Sequence, residues 1–186
     1  VNPNYKNLFM YGGDSNFDEM KLFVESNQFD QIIDHSTDSV LKKLKLDNLT
    51  QGVNPWGVFD SYLFNRSIDL MDDKPNSHPQ FISILSTTNH LPWIIPNEFR
   101  KQIPNYPTNK KDFEIAKRTM KYVDNTLKDF FNTAQNKDWF DDTIFIITAD
   151  HGLNIYKEHI NDPRNARIPF IIYNSKLAAE EIKKIV

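Results

Sequence analysis

The chain has 186 residues, a formal net charge of -3 and no cysteine, and 39% of its residues are hydrophobic, enough for one real core. The absent cysteine excludes disulfides, zinc–thiolate sites and thiol nucleophiles. The lack of a basic surplus to neutralise phosphates argues against a general nucleic-acid or anionic-membrane binder, and Lys42-Lys43 and Lys110-Lys111 read as solvated helix faces.

Residues 7–11 form a short apolar run closed by Gly12-Gly13, which predicts a buried strand ending in a tight turn. Asp14 or Ser15 then caps an expected helix to about residue 27, with Phe17, Met20, Phe23 and Val24 on one face. A second short strand is expected over 31–34, a short helix near Leu41, and a loop through Asn54-Pro55-Trp56-Gly57. A helix follows over about 60–73, with Leu63, Phe64, Ile68 and Met71 inward, and then a buried strand over 81–86. Four prolines make 87–109 an irregular loop. The longest helix spans about 111–135, where Phe113, Ala116, Met120, Val123, Leu127, Phe130 and Ala134 recur at helical spacing. Strands are expected over 143–148 and 168–173. Continuous apolar strands alternating with helices predict a mostly parallel sheet covered on both faces.

Asp150-His151-Gly152 follows the 143–148 strand, where open α/β sheets place their sites. A carboxylate and an imidazole side by side can both reach one divalent ion, and mixed oxygen and nitrogen ligation suits zinc or manganese. Gly152 lets the backbone turn sharply beside it. Taken alone the tripeptide is a weak signal, because a polar turn with a capping aspartate spells the same letters.

The surrounding motifs are more specific. Asp142 to Gly152 resembles the "DNTIFIFTADHG" signature of the alkaline-phosphatase/sulfatase superfamily. Tyr122 to Phe131 resembles the helix that precedes that signature, and Arg167 to Tyr173 the strand that follows it. In the first half, Tyr11-Gly12-Gly13 through Met20, Phe29 to Asp34, Trp56 to Phe64 and Ser86 to Trp93 are similar to segments of the phosphoglycerol transferases, which include lipoteichoic acid synthases. The resemblance covers about residues 7–175. It implies a three-layer αβα sandwich, with residues 1–186 a fragment of a single sulfatase-like catalytic domain.

The resemblance also implies roles. Asp150 and His151 become metal ligands, for manganese first, with zinc and magnesium as alternatives. His90 matches a histidine beside the transferred phosphate, where an imidazole can hydrogen-bond the phosphate or help move a proton. It is thus the candidate catalytic and substrate-binding residue, against the plainer reading of a loop histidine bonded to backbone. Trp56 matches a tryptophan lining the head-group pocket; an ordinary core aromatic is the plainer reading. His159 reads as a surface residue, His35 and His78 as solvated turn residues. Arg164 and Arg167 could contact a phosphate, with a plain strand-flanking residue as the alternative for Arg167.

The family's nucleophile, a threonine at a helix N-terminus, and a further metal-binding acid would both precede Val1. The chain alone is therefore expected to be inactive. The whole enzyme is expected to use a divalent metal and a phospho-threonine intermediate to move a substituted phosphate from a lipid donor to a glycan or polymer hydroxyl. No run here reaches the length of a membrane span and no signal peptide is visible, so the membrane anchor implied by the resemblance lies outside the chain, and the location implied is extracytoplasmic. The alternatives are another superfamily enzyme (sulfatase, phosphodiesterase or phosphoethanolamine transferase) and a non-catalytic glycan- or partner-binding domain of the same fold.

Overall fold

In the computed structural model, residues 2–47, 54–73, 78–106, 111–152 and 163–177 are described. They divide into two compact units, Val1–Asn132 and Thr133–Val186.

The first unit is built on a three-stranded sheet. β1 (Lys6–Tyr11) is central, flanked by β2 (Gln31–Ile33) and β3 (Gln80–Leu85), and both pairings are parallel. β1 pairs along its whole length with β3, from Lys6 opposite Gln80 to Tyr11 opposite Leu85. Being central explains its unbroken apolar run: Leu8, Met10 and Tyr11 are all buried. The helices are α1 (Met20–Ser26), α2 (Ser39–Asp47), α3 (Asp60–Asp72) and α4 (Lys111–Ala134). Leu8, Met10, Ile33, Leu41, Val58 and Leu63 form one core cluster, and Phe59, Ile95, Ile103 and Tyr122 another. This is the α/β fold with a parallel sheet that the sequence implied. No helix among the described residues is long and apolar enough to cross a membrane.

Three expectations are corrected in this unit. The helix expected from Asp14 starts only at Met20, because Asp18 (φ 54°) and Glu19 (φ 57°) are left-handed and interrupt it after a 3-10 turn at Phe17–Glu19. The break takes Phe17 out of register with Val24: Val24 is buried, whereas Phe17 and Phe23 are exposed. On α4 Ala116, Phe130 and Ala134 are buried as expected, Met120 is exposed instead, and Thr119, Tyr122 and Thr126 are buried as well. A threonine hydroxyl hides its polarity by bonding back to its own helix, as Thr119 does to the Ile115 carbonyl and Thr126 to that of Tyr122. An apolar count therefore misses the polar members of the buried face. His35, expected to be solvated, is buried; His78 is exposed.

His35 is buried because β2 ends in a tight turn under the 13–15 loop. Asp34 receives the backbone N–H of Ser15 at 2.8 Å, and those of Ser36 and Thr37 at 2.8 Å each, together with the hydroxyls of Ser36 and Thr37. Burial by itself would raise this carboxyl, but the bonds from Ser15, Ser36 and Thr37 outweigh it and hold Asp34 far below the usual carboxylate range. Arg66 of α3 reaches Asp38, just before α2, at 2.9 Å.

In the second unit β4 (Phe145–Thr148) and β5 (Phe170–Tyr173) pair antiparallel, Phe145 opposite Tyr173 and Thr148 opposite Phe170. The expectation that these strands run parallel to their neighbours is corrected for this pair. A continuous apolar run reports burial on two faces and carries no information on strand direction. Phe140, Phe145 and Tyr173 gather their rings beneath the pair. The Asn174 amide donates to the carbonyls of Asp141 and Thr143, closing its end.

Candidate functional site

Parallel strands bring their carboxyl ends to one edge of a sheet, and in this fold class the connections leaving that edge carry the chemistry. In the first unit those connections are residues 12–16 after β1 and 86–93 after β3. The 54–60 segment joins them. Its N–H at Val58 donates to the Gly12 carbonyl at 2.8 Å, and Gly12 N–H donates to Leu85 of β3. The approach is so close that a Cβ on Gly57, whose φ is +156°, would stand 1.9 Å from the Gly12 oxygen. The two glycine-bearing motifs are therefore two sides of one backbone contact.

Asp60, the first residue of α3, is fully buried. Its Oδ1 accepts the Thr88 hydroxyl at 2.6 Å and the N–H groups of Thr88 and Thr87 at 3.0 and 3.2 Å. The Thr88 hydroxyl in turn accepts the Asp60 N–H at 3.0 Å, so a threonine distant in sequence caps α3. Thr87 ties back through its hydroxyl to Asn54 and to the Val58 carbonyl. Burial pushes the Asp60 carboxyl up, against the opposing pull of the Thr88 hydroxyl and amide, the Ser86 hydroxyl and the Thr87 amide. Behind it the Tyr122 hydroxyl donates to Ser61 Oγ at 2.8 Å, and burial pushes that phenol up to about 12.

On this base stand Trp56 and His90, with ring centroids 4.1 Å apart. His90 N–H donates to the Thr87 carbonyl, and its own carbonyl accepts from Trp93 N–H. The indole Nε1 of Trp56 donates to the Leu91 carbonyl. His90 Nδ1 lies 2.9 Å from the same carbonyl. Because a carbonyl only accepts, this contact places a proton on Nδ1, and Nε2 is the lone-pair atom of the exposed ring whenever it carries a single proton. Phe17 sets its ring edge-on to Trp56 at 5.8 Å. Trp93, on the far side of the turn, has the left-handed φ of 56°. The half-buried Trp56 is thus neither a core aromatic nor a free one: one end is fixed and its face is partnered by an imidazole.

Asp150 and His151 lie in the second unit, just past β4. Both are exposed, with side chains at 69% and 71% of full accessibility. Asp150 Oδ1 accepts the His151 N–H at 2.9 Å, and His151 Nδ1 donates to the Gly152 carbonyl at 2.9 Å. That leaves Asp150 Oδ2 and the His151 Nε2 lone pair 3.8 Å apart, one hard oxygen and one borderline nitrogen. Such a donor pair fits zinc or manganese. Among the described residues no group of three or more histidine, aspartate or glutamate side chains is placed to hold a metal. Gly152 is required sterically, since a Cβ there would lie 1.9 Å from the Asn165 carbonyl oxygen. Arg167 is exposed; His159 and the side chain of Arg164 lie outside the described residues.

Reading the sequence did not find Asp60, Asp34 or Phe17 as parts of this framework. A signal for Asp60 was present: Thr87-Thr88 directly after an apolar strand puts two hydroxyls where another segment's helix can use them as a cap.

A parallel sheet with helices and with polar connections at its carboxyl edge defines the class as an open α/β fold. The solved structures agree. The chain superposes on a protein in the alkaline phosphatase superfamily from Vibrio parahaemolyticus with TM-score 0.70 and 28% identity, covering 94% of this chain and 39% of that one. It superposes on the lipoteichoic acid synthase LtaP from Listeria monocytogenes with TM-score 0.75 and 17% identity, covering 94% and 44%. For the Streptococcus pyogenes phosphoglycerol transferase GacH, solved in complex with sn-glycerol-1-phosphate, the values are 0.60 and 17%, covering 91% and 43%. The sequence model of the Sulfatase family matches residues 2–186, and the chain belongs to that family. It is also 26% identical over 124 residues to a lipoteichoic acid synthase of Staphylococcus saprophyticus. That match takes in 66% of this chain and 19% of the relative, so the chain spans about a fifth of the curated relative's length.

Proposed function

We propose that this chain is part of the catalytic domain of a phosphoglycerol transferase that moves a substituted phosphate from a lipid donor to a glycan or polymer hydroxyl outside the cytoplasm. The observation that carries the reading is the Trp56–His90 pair at the carboxyl edge of the sheet. A phosphate carrying a small polyol needs a hydrogen-bonding imidazole for the anion and an aromatic face for its carbon skeleton, and these two side chains offer both within 4.1 Å. Relatives named lipoteichoic acid synthase and phosphoglycerol transferase support the same substrate class.

Asp150 and His151 are the residues that would hold a divalent metal, manganese in the first instance. When bound, such an ion supplies charge neutralisation for the phosphate and lowers the pKa of a coordinated hydroxyl. Asp150 contributes Oδ2 and His151 Nε2, each oriented by the backbone bond that its other polar atom makes. His90 Nε2 takes up a proton in transit through its lone pair and, once protonated, donates to a phosphate oxygen. The nucleophile, a threonine in this reading, is supplied from outside the 186 residues.

The test is donor selectivity in the full-length protein. With manganese present, phosphatidylglycerol vesicles should yield diacylglycerol, while phosphatidylethanolamine vesicles and an aryl sulfate should not react. Chelation should stop the reaction and manganese restore it. Turnover of the aryl sulfate with none of phosphatidylglycerol would make the protein a sulfatase and overturn the proposal.

A further inference from the structure

We propose that Asp60 is the positioning residue of this site: its buried carboxylate gathers the Thr87 and Thr88 end of the 86–93 turn and so sets where His90 stands against Trp56.

The argument begins with what Asp60 does not do. An aspartate in the first turn of a helix normally serves that helix's own N–H groups or its dipole. Every hydrogen bond of Oδ1 goes instead to the β3 connection, to Thr87 N–H, Thr88 N–H and the Thr88 hydroxyl. A further group acting on the buried carboxyl is the Ser86 hydroxyl, again from the β3 connection. A buried carboxyl whose bonds all go to another segment fixes that segment in place more than it serves its own helix. Burial also raises this carboxyl, as expected of a group held where solvent cannot reach it.

The rest follows from connectivity. Thr87 and Thr88, once fixed, present the Thr87 carbonyl that receives His90 N–H at 3.1 Å. Four residues before Asp60, Trp56 reaches across to the Leu91 carbonyl. The 56–60 segment therefore grips the 87–91 segment at both ends, with Asp60 at the buried end and Trp56 at the exposed end. The His90 ring is caught between them, its Nδ1 on the same Leu91 carbonyl. The Thr88 hydroxyl locks the buried end by donating to Asp60 Oδ1 and accepting Asp60 N–H.

The inference rests on His90 belonging to the site proposed above, but its test needs no substrate. In the full-length protein, side-chain nitrogen NMR of labelled histidine, with the His90 signal identified by its loss in His90→Gln, should show the Nδ1–H tautomer. Asp60→Ala should lose that signature, leaving a mixture of tautomers in exchange, and Thr88→Val should do the same. Asp60→Asn keeps an acceptor oxygen in place and should retain it. A destabilised but correctly assembled site would lower the melting temperature without moving the tautomer. If Asp60→Ala fails to fold, Thr88→Val decides. A folded variant of either kind with the His90 signature unchanged overturns the positioning role. Failure of phosphatidylglycerol turnover, by contrast, strikes the functional reading and leaves this one intact.

Discussion

The two pairs of candidate residues are held in different ways. Trp56 and His90 are set by bonds that cross the sequence: Asp60 to Thr88, Val58 to Gly12, Trp56 to Leu91. Among the described residues, Asp150 and His151 are set by their neighbours, each through a bond to an adjacent residue, and both are exposed. The difference teaches where stability and chemistry part company. In the first pair a lesion should disturb fold and function together. In the second, a lesion should cost function and almost nothing else.

The largest expected effect tests that separation. Asp150→Ala should lower transfer from phosphatidylglycerol by about 1,000-fold, the scale seen when a main source of transition-state charge stabilisation is removed. The melting temperature, measured without added metal, should stay unchanged because the side chain is exposed. A large drop in that melting temperature would erase the contrast.

Asp34 offers the reverse case, with stability at stake and no atom in the proposed chemistry. Replacing it by asparagine should cost about 2 kcal/mol at neutral pH, the scale of hydrogen bonds to a charged group. The sign follows from a folded-state pKa held below the unfolded one. The contribution is full above the unfolded carboxylate value of about 4 and is lost as the pH falls below it. Denaturant melts of wild type and Asp34→Asn should therefore converge in acid; a gap that widens there would contradict the cause assigned to the shift.

The smallest effect sharpens the first pair. Trp56→Ala should raise KM for the lipid donor several-fold, about 1 kcal/mol of lost aromatic contact, with a smaller change in kcat. Trp56→Phe should recover part of the loss, because the ring face remains while the bond to Leu91 does not. Equal losses in both variants would assign the effect to the indole N–H.

Much of this was legible in the sequence. The β1 and β3 strands, the long α4 helix and the sharp turns at Gly12-Gly13 and Gly57 follow from apolar runs and from glycine, whose signals are local. The candidate residues came from motif resemblance, and of them His90 and Asp150 stand just past strand ends whereas Trp56 does not. Long-range polar pairing was not legible. Asp60 looks like any aspartate opening a helix, and nothing local says that Thr88, from another strand's exit, will cap it. His35 looks solvated until Asp34 is seen to fold the chain beneath Gly13. Phe17 fits an amphipathic helix in the letters, yet two left-handed residues turn it outward onto Trp56. The direction of β5 could not be read, since hydrophobicity has no polarity along the chain.

The contact between Gly57 and Gly12 has a consequence for anyone moving this site elsewhere. With 1.9 Å available where a methyl group would sit, neither turn can be remodelled by itself. A transplant of the tryptophan–imidazole pair into another scaffold would have to carry three chain segments at once: the exit of β1, the 54–60 connection and the exit of β3. The portable unit is a backbone junction, and the two aromatic rings are its visible cargo.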